Sequence, residues 1–478
     1  MKVIYIMADT FRRDHLGAYG NKCIHTPNLD KLASEAMVFD NAYIGSFPTV
    51  PNRRDTLLGR GDIGLPFNRW KGFERDEVTL PERLAEKDIT SMWIGDTQNN
   101  VTKGINMYKG YTAWYLNRGQ EADPYWLDDN VPLEWPVPHE LIRYTARTWH
   151  QVLINRAHRQ VETDWFAPGT YSTAIKWLEK NYKRENFFLW VDTFDPHEPW
   201  DPPQYYIDMY DADYTGRIFE APTYGLRKMM GITDQEMQHI RARYAGEVTM
   251  VDNWLGKLME AIERFGIKNE TQVIFTSDHG TMFDTPGDNG LICKPNTVGA
   301  DGMVMSAGRP MKEPIQYFPI FQNVARIPLM IRLPGIEKGK RIKAIVQPWD
   351  VTVTILDMFG IPKPSELIGE SLMPLMHGKR SSIRDTAICG TNALAQAMTD
   401  RWLYTVWRGQ RQPSLIDLEA NPLAEVNVLD KHPERVKWLH SEITQFMRKQ
   451  NISEDFIASF SALNWGEGVG RGVFSECV

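Results

Sequence analysis

The fold is decided by Val3-Ile4-Tyr5-Ile6-Met7-Ala8-Asp9, a short apolar run that ends abruptly in a carboxylate. The run at 273–277 is of the same kind and ends in Asp278-His279-Gly280. Apolar, β-branched runs with this ending are typical of buried parallel strands, which deliver functional groups at their carboxyl edge. We therefore expect two carboxylates, an imidazole and the hydroxyl of Thr49 to meet at one sheet edge and hold one metal ion.

Helical patterns alternate with further apolar runs along most of the chain. This alternation predicts an α/β fold with a mostly parallel sheet and helices on both of its faces. The expected strands are residues 3–7, 91–94, 187–191, 273–277 and 329–333, and the expected helices are residues 29–37, 80–86 and 237–265.

The pattern changes after about Gly378. Apolar runs at 387–389, 402–407 and 415–416 predict a small antiparallel sheet, and residues 440–449 predict a closing helix. We therefore predict two units, with residues 1–378 as the main α/β domain and residues 379–478 as a smaller α+β subdomain.

Two stretches of the main domain are expected to be insertions. Residues 103–170 are dense in aromatic side chains, and residues 296–322 are rich in Met, Gly and Pro. We favour surface packing or a contact between copies of the chain as their role. The alternative is a wall or a lid of a substrate pocket.

The composition is that of an ordinary globular protein, with 42% hydrophobic and 24% charged residues. The net charge of -7 and the lack of a basic stripe argue against binding to a nucleic-acid backbone. No apolar stretch is long enough to span a bilayer, and the apolar start is too short for a signal peptide, so we expect no membrane association and a cytoplasmic location. Cys23, Cys293, Cys389 and Cys477 are expected to be free thiols because their spacing fits neither a disulfide framework nor a zinc site.

Several motifs together resemble the sulfatase branch of the alkaline phosphatase superfamily. They follow one another in the family's order over most of the chain, at residues 9–17, 26–30, 39–43, 276–280, 326–329 and 415–419. The resemblance implies an alkaline-phosphatase-like fold with a C-terminal subdomain, and an enzyme that hydrolyses esters.

Thr49 departs from the sulfatase pattern. Sulfatases carry Cys or Ser at this position, followed by the Pro and Arg that Pro51 and Arg53 match here. That Cys or Ser is oxidised to formylglycine, whereas oxidation of a threonine Cβ would give a ketone, so no formylglycine is expected. Phosphodiesterases, phosphonoacetate hydrolases and phosphoglycerol transferases of the superfamily use an unmodified Thr. The resemblance therefore implies phosphoryl or phosphonyl chemistry more than sulfuryl chemistry.

The resemblance assigns Asp9, Thr49, Asp278 and His279 as ligands of one divalent metal ion. Thr10 stands where arylsulfatases carry a second Asp, and His279 replaces an Asn. An imidazole in place of carboxylate and amide oxygens favours a borderline metal, so manganese is the first choice, with zinc, iron and calcium as alternatives.

The catalytic assignments follow from the same resemblance. Thr49 is the candidate nucleophile, although capping a helix that begins at Pro51 is an alternative and compatible role. Arg53 would position Thr49 or bind a nonbridging oxygen. His197 would donate a proton to the leaving group or hold a substrate oxygen, and Lys294 would neutralise the charge of the leaving oxygen.

The Lys-x-His pair that sulfatases carry near residue 96 is missing here. Its loss suggests a substrate with less charge at the reacting centre, such as a phosphodiester or a phosphonate monoester. Thr97, Asn99 and Asn68 are the candidate substrate-binding residues.

The sequence thus predicts a metal-dependent hydrolase of phosphodiesters or phosphonate monoesters with Thr49 as nucleophile. A sulfuric ester hydrolase, a phosphotransferase and an inactive sulfatase-like binding protein remain as alternatives. The expected partners are a small-molecule phosphate, phosphonate or sulfate ester and, for the aromatic stretch, a further copy of the chain.

Overall fold

A large central sheet organises the computed structural model, which describes residues 1–61, 70–102, 104–299, 301, 303, 312–313, 315–409 and 411–460. The described strands are β1 (Lys2–Ala8), β2 (Met37–Tyr43), β3 (Thr90–Gly95), β4 (Ala113–Leu116), β5 (Phe187–Thr193), β6 (Gly225–Leu226), β7 (Thr271–Ser277), β8 (Met282–Phe283), β9 (Leu291–Cys293), β10 (Thr297–Val298), β11 (Gln316–Tyr317), β12 (Arg326–Ile327), β13 (Leu329–Arg332), β14 (Lys340–Val346), β15 (Ala387–Gly390), β16 (Leu394–Met398), β17 (Trp402–Trp407) and β18 (Ser414–Asp417).

The described helices are α1 (Pro27–Ser34), α2 (Thr49–Leu58), α3 (Leu80–Ala85), α4 (Ala146–Ala157), α5 (Phe166–Asn181), α6 (Gln204–Asp211), α7 (Asp234–Arg264), α8 (Gln322–Ala325), α9 (Pro348–Met358), α10 (Met373–Met376), α11 (Pro433–Lys449) and α12 (Glu454–Ala458). The long helix α7 begins with a capping box, in which Thr233 and Glu236 satisfy each other's backbone N–H groups. Among the described residues, none of the helices combines the length and the apolar character needed to cross a bilayer.

Strands of the central sheet follow the order β12-β2-β13-β7-β1-β5-β3-β4, with β14 paired to β2. The middle strands β7, β1, β5 and β3 are mutually parallel, as predicted, because each returns through a helical crossover. Side chains of β1 alternate between two hydrophobic clusters, one on each face of the sheet. Helices α2 and α9 cover one face, and α1, α5 and α7 cover the other.

Two predicted elements differ from the structure. The helix expected over residues 29–37 ends at Ser34, and Met37 already belongs to β2, because the apolar run 37–39 pairs with β13 and β14. The strand expected at 329–333 exists as β13, but it runs antiparallel to β7 and β2. Such a mixed sheet is common, and the direction of a strand leaves no mark on its residue pattern.

The C-terminal part contains the predicted antiparallel sheet. Strands β15, β16, β17 and β18 pair in chain order, and α11 packs its apolar face against them. Helix α11 begins at Pro433, earlier than the predicted residue 440. The boundary at residue 378 stays a prediction.

The aromatic stretch 104–170 forms part of the main fold. It contributes β4, which pairs in parallel with β3 at the sheet edge, and α4, whose Trp149 is fully buried. Trp114 and Trp126 on the same stretch are exposed by 45% and 41%, so only some of its aromatic rings serve the core.

Candidate active site

Asp9, Asp278 and His279 meet at the carboxyl edge of the central sheet. Asp9 follows β1 and Asp278 follows β7, and the parallel register that sets Ala8 beside Ser277 brings the two carboxylates together. One ligand atom from each of the three residues lies within 4.8 Å of the others, and all three side chains are fully buried. His279 Nε2 lies 3.6 Å from Asp278 Oδ2 and 4.0 Å from Asp9 Oδ1.

The imidazole of His279 is oriented as a ligand. Its Nδ1 lies 2.9 Å from the carbonyl oxygen of Gly280, which only accepts hydrogen bonds, so Nδ1 carries the hydrogen and Nε2 presents its lone pair to the carboxylates. Burial and the nearby Lys294 lower the pKa of His279 to about 3. The ring is therefore neutral, which is the form that binds metals.

The cluster has unsatisfied atoms that fit a divalent cation. His279 Nε2 and Asp9 Oδ2 are buried and receive no hydrogen bond from the described residues. Burial and the neighbouring Asp278 raise the pKa of Asp9 to about 6, which is the effect of negative charge gathered without enough positive charge. Two carboxylates and one imidazole form a mixed oxygen and nitrogen donor set, as expected for a borderline metal.

Arg53 is held among three carboxylates. Its Nη1 lies 2.8 Å from Asp278 Oδ2 and 3.1 Å from Asp9 Oδ2, and its Nη2 donates to Asp192 Oδ1 over 2.7 Å. The same Nη1 donates to the carbonyl oxygen of Thr49 over 3.2 Å. These contacts suit a residue that positions Thr49 and the metal ligands, which is one of the two roles predicted for it.

Asp192 was not predicted as a functional residue. It lies near the end of β5, the strand next to β1, and its carboxylate accepts hydrogen bonds from Arg53, Trp93 and Asn100. Asp192 directly follows the apolar run 187–191 and is followed by a Thr, as Asp9 is after β1, and this similarity could have indicated it.

Thr49 is the first residue of α2, two residues earlier than the predicted start at Pro51. Its neighbours in the chain link it to the metal cluster: the ring of Phe47 lies 5.1 Å from the ring of His279, and Arg53, one turn later, donates both to the carbonyl oxygen of Thr49 and to Asp278. Thr49 is 4% exposed, so only a narrow part of it is accessible.

Lys294 is connected to the cluster through Thr10. The Nζ of Lys294 donates to Thr10 Oγ1 over 3.1 Å, and that oxygen donates to Asp9 Oδ1 over 2.7 Å. Thr10 has φ of 62°, a strained conformation for a β-branched residue, and its N–H donates to Asp278. The structure thus brings Lys294 to the predicted metal ligands.

His197 lies in the loop after β5, and its Nδ1 donates to the carbonyl oxygen of Glu198 over 2.6 Å. Its Nε2 is therefore the ring atom that can exchange a proton. Burial and the nearby Lys294 and Arg143 hold the pKa of His197 well below its usual range. An anionic ester bound beside the ring would raise that pKa again.

The structure describes two of the three predicted substrate-binding residues. Thr97 is buried, and its hydroxyl has no hydrogen-bond partner among the described residues. Asn99 donates to Glu121 over 3.4 Å, which joins it to the aromatic stretch. Asn68 lies outside the described residues.

Comparison with known proteins assigns the family. Residues 2–361 match the sulfatase family model, and residues 318–450 match the model described as N-sulphoglucosamine sulphohydrolase, C-terminal. The chain therefore belongs to the sulfatase family, a class of ester hydrolases that bind a divalent metal.

Relatives and solved structures agree with this assignment over nearly the whole chain. An arylsulfatase of Clostridium perfringens is 25% identical, with 91% of this chain and 92% of the relative covered. Arylsulfatase K of Gallus gallus is 22% identical, with 98% and 87% covered. The crystal structure of a phosphonate monoester hydrolase of Agrobacterium radiobacter superimposes with a TM-score of 0.69 at 19% identity, with 94% of this chain and 95% of that chain covered, which shows a shared fold.

Proposed function

We propose that the protein is a metal-dependent hydrolase of small sulfate esters in which unmodified Thr49 is the nucleophile. The observation that carries the proposal is the buried group of Asp9, Asp278 and His279, which Arg53 joins to the start of α2. The sequence alone favours phosphodiesters and phosphonate monoesters, whereas the relatives named as arylsulfatases favour sulfate esters, and we rank sulfate first for that reason.

The cation held by Asp9, Asp278 and His279 would supply Lewis-acid activation of the ester and of the attacking hydroxyl. Arg53 keeps the two carboxylates and the backbone of Thr49 in place. The hydroxyl of Thr49 attacks the central sulfur atom, the bond to the leaving oxygen breaks, and Lys294 offsets the charge on that oxygen. Neutral His197 Nε2 accepts the proton that the Thr49 hydroxyl gives up on attack and returns it to the leaving oxygen.

Release of the product requires a second step. Water attacks the sulfur atom of the Thr49 ester and restores the hydroxyl, since Thr49 lacks the second hydroxyl with which a formylglycine hydrate expels its adduct. We expect turnover to be slower than in relatives that carry formylglycine.

Phosphonate monoesters and phosphodiesters are the second candidate substrates. Thr49 supports them, because phosphoryl enzymes of the superfamily use an unmodified Thr, and so does the absence of the Lys-x-His pair near residue 96. The same residues would act in the same order on a phosphorus centre.

The decisive experiment compares rates on four p-nitrophenyl compounds: the sulfate, the phosphate, the bis-phosphodiester and the phenylphosphonate. Each is measured with manganese, zinc or calcium, for the native protein and for Thr49→Ala and Thr49→Ser. We expect the highest kcat/KM on the sulfate, a loss of at least about 10³-fold in Thr49→Ala, and partial activity in Thr49→Ser. Preference for the diester or the phosphonate would establish the second candidate instead. The absence of any Thr49-dependent turnover would overturn both.

A further inference from the structure

Glu198 is a fully buried carboxylate that lies between the two candidate leaving-group residues. Its Oε2 lies 3.9 Å from Lys294 Nζ and 3.5 Å from His197 Nδ1. The same oxygen receives no hydrogen bond from the described residues, and Lys294 and His197 are ionisable groups close to it.

The other oxygen of Glu198 accepts hydrogen bonds from residues that lie outside the proposed metal-binding motifs. Oε1 accepts hydrogen bonds from Arg143, on the aromatic stretch, and from Tyr224, just before β6. The guanidinium of Arg143 also lies 3.5 Å from Glu121 and over the rings of Tyr144 and Tyr224.

Glu198 is ionised in these surroundings. Burial on its own would raise its pKa, but the positive charges of Lys294 and Arg143 hold the pKa of Glu198 well below its usual range. A buried carboxylate that keeps its charge holds nearby cations strongly, because the water that would screen the interaction is excluded.

The backbone before Lys294 is fixed as well. Cys293 ends β9 with φ of 68°, a left-handed conformation that is costly for a residue with a side chain. The backbone thus fixes the position of the Cα atom of Lys294, and contacts with Glu198 and Thr10 fix the position of its ammonium group.

We propose that Glu198 is a positioning residue for Lys294, and that Arg143 and Tyr224 hold Glu198 in the orientation this requires. The inference rests on the proposed function, in which Lys294 offsets the charge of the leaving oxygen. A continuous series of contacts then joins the aromatic stretch to the metal site, running from Arg143 through Glu198, Lys294 and Thr10 to Asp9.

The test is the dependence of the rate on the leaving group. The assay uses a series of aryl esters whose phenol leaving groups have increasing pKa values. Each ester is tested with the native protein, Glu198→Gln and Glu198→Asp. A misplaced Lys294 matters most when the leaving oxygen holds the most charge. We therefore expect Glu198→Gln to lower kcat/KM by about 10²-fold on the poorest leaving group and by much less on p-nitrophenol, because kcat/KM reports the step that expels the leaving group whereas kcat also includes the later hydrolysis of the Thr49 ester. Glu198→Asp should restore part of the rate.

Two further variants complete the design. Tyr224→Phe removes one hydrogen bond to Glu198 without removing a charge, and it should show the same dependence on the leaving group with a smaller amplitude. If circular dichroism shows that Glu198→Gln does not fold, the result with Tyr224→Phe tests the role of Glu198 instead. Glu236→Gln is the matched control, because Glu236 is also buried and paired, with Arg217 and Thr233, and it should behave like the native protein.

Equal losses on all leaving groups in Glu198→Gln and Tyr224→Phe, or no loss in either, would overturn the assignment of Glu198 while leaving the proposed function intact. Failure of the native protein to turn over any ester in a Thr49-dependent manner would overturn the proposed function and this inference together.

Discussion

Arg53 has an unusual number of negatively charged neighbours for one side chain. The guanidinium contacts Asp9, Asp278 and Asp192 and is almost fully buried. Burial lowers the pKa of an arginine, but the three carboxylates together raise the pKa of Arg53 well above its usual range, so it stays charged. Its charge stabilises a pair of carboxylates that would otherwise repel each other, which makes the geometry of the site dependent on Asp192 as well.

Asp192→Asn tests this dependence. The substitution leaves part of the guanidinium buried without its counter-charge, and we expect the free energy of unfolding to fall by about 3 kcal/mol. Urea denaturation measures it. Asp417→Asn is the matched control, because Asp417 pairs with the half-exposed Arg401 and its loss should cost about 1 kcal/mol or less. Equal costs for the two variants would contradict a structural role of Asp192 at the site.

Parallel strands β1 and β7 bring the proposed metal ligands together, so metal binding is best tested at this edge of the sheet. The lone pair of His279 Nε2, which receives no hydrogen bond from the described residues, and the carboxylates of Asp9 and Asp278 offer ligand atoms to a cation at this edge. A ligand that binds the folded protein alone stabilises it in proportion to the logarithm of its concentration.

Metal addition should accordingly raise the melting temperature of the metal-free protein. At 100 times the dissociation constant the gain corresponds to about 2.7 kcal/mol. We expect the increase to be lost in His279→Ala and to persist in His239→Ala, since His239 is also buried but pairs with Asp211 on α6. Scanning calorimetry with and without manganese provides the measurement. An unchanged increase in His279→Ala would exclude this histidine as a ligand.

The sequence predicted those strands and helices that have a distinctive pattern of apolar and polar residues. Apolar runs with polar endings identified β1 and β7, and the alternation of patterns identified the parallel sheet. The antiparallel direction of β13 and the start of β2 at Met37 were missed, because strand direction and pairing depend on distant partners. Glu198 and Arg143 were missed for the same reason: 55 residues separate them, and only the folded chain shows their contact.

At the scale of the whole molecule, the C-terminal sheet is joined to the segment that precedes Thr49. The N–H of Gly390 in β15 donates to Gly45 over 3.1 Å, and its carbonyl oxygen accepts from Phe47 over 2.9 Å. A Cβ at position 390 would lie 2.3 Å from the carbonyl oxygen of Leu394, so only glycine fits this close approach. Side chains of the C-terminal sheet also belong to the same hydrophobic cluster as α2 and α9.

We therefore expect the main domain and the C-terminal subdomain to unfold together. Midpoints of denaturation followed by tryptophan fluorescence and by far-UV circular dichroism should coincide, because the shared cluster couples the two parts. A chain truncated after Gly378 should fail to fold, since it would expose that cluster. Two separate transitions, or a stable truncated protein, would show that the two predicted units are independent.

The contacts of Gly390 also bear on protein synthesis. A ribosome makes the proposed metal ligands Asp9, Asp278 and His279 well before it reaches residue 390. Until then the loop from Gly45 to Phe47 has no β15 to bind, so the segment before Thr49 is still unanchored in the nascent chain. We therefore expect the segment that carries the proposed nucleophile to reach its final position only after residue 390 has been made, so that a chain released before that point has no activity on esters.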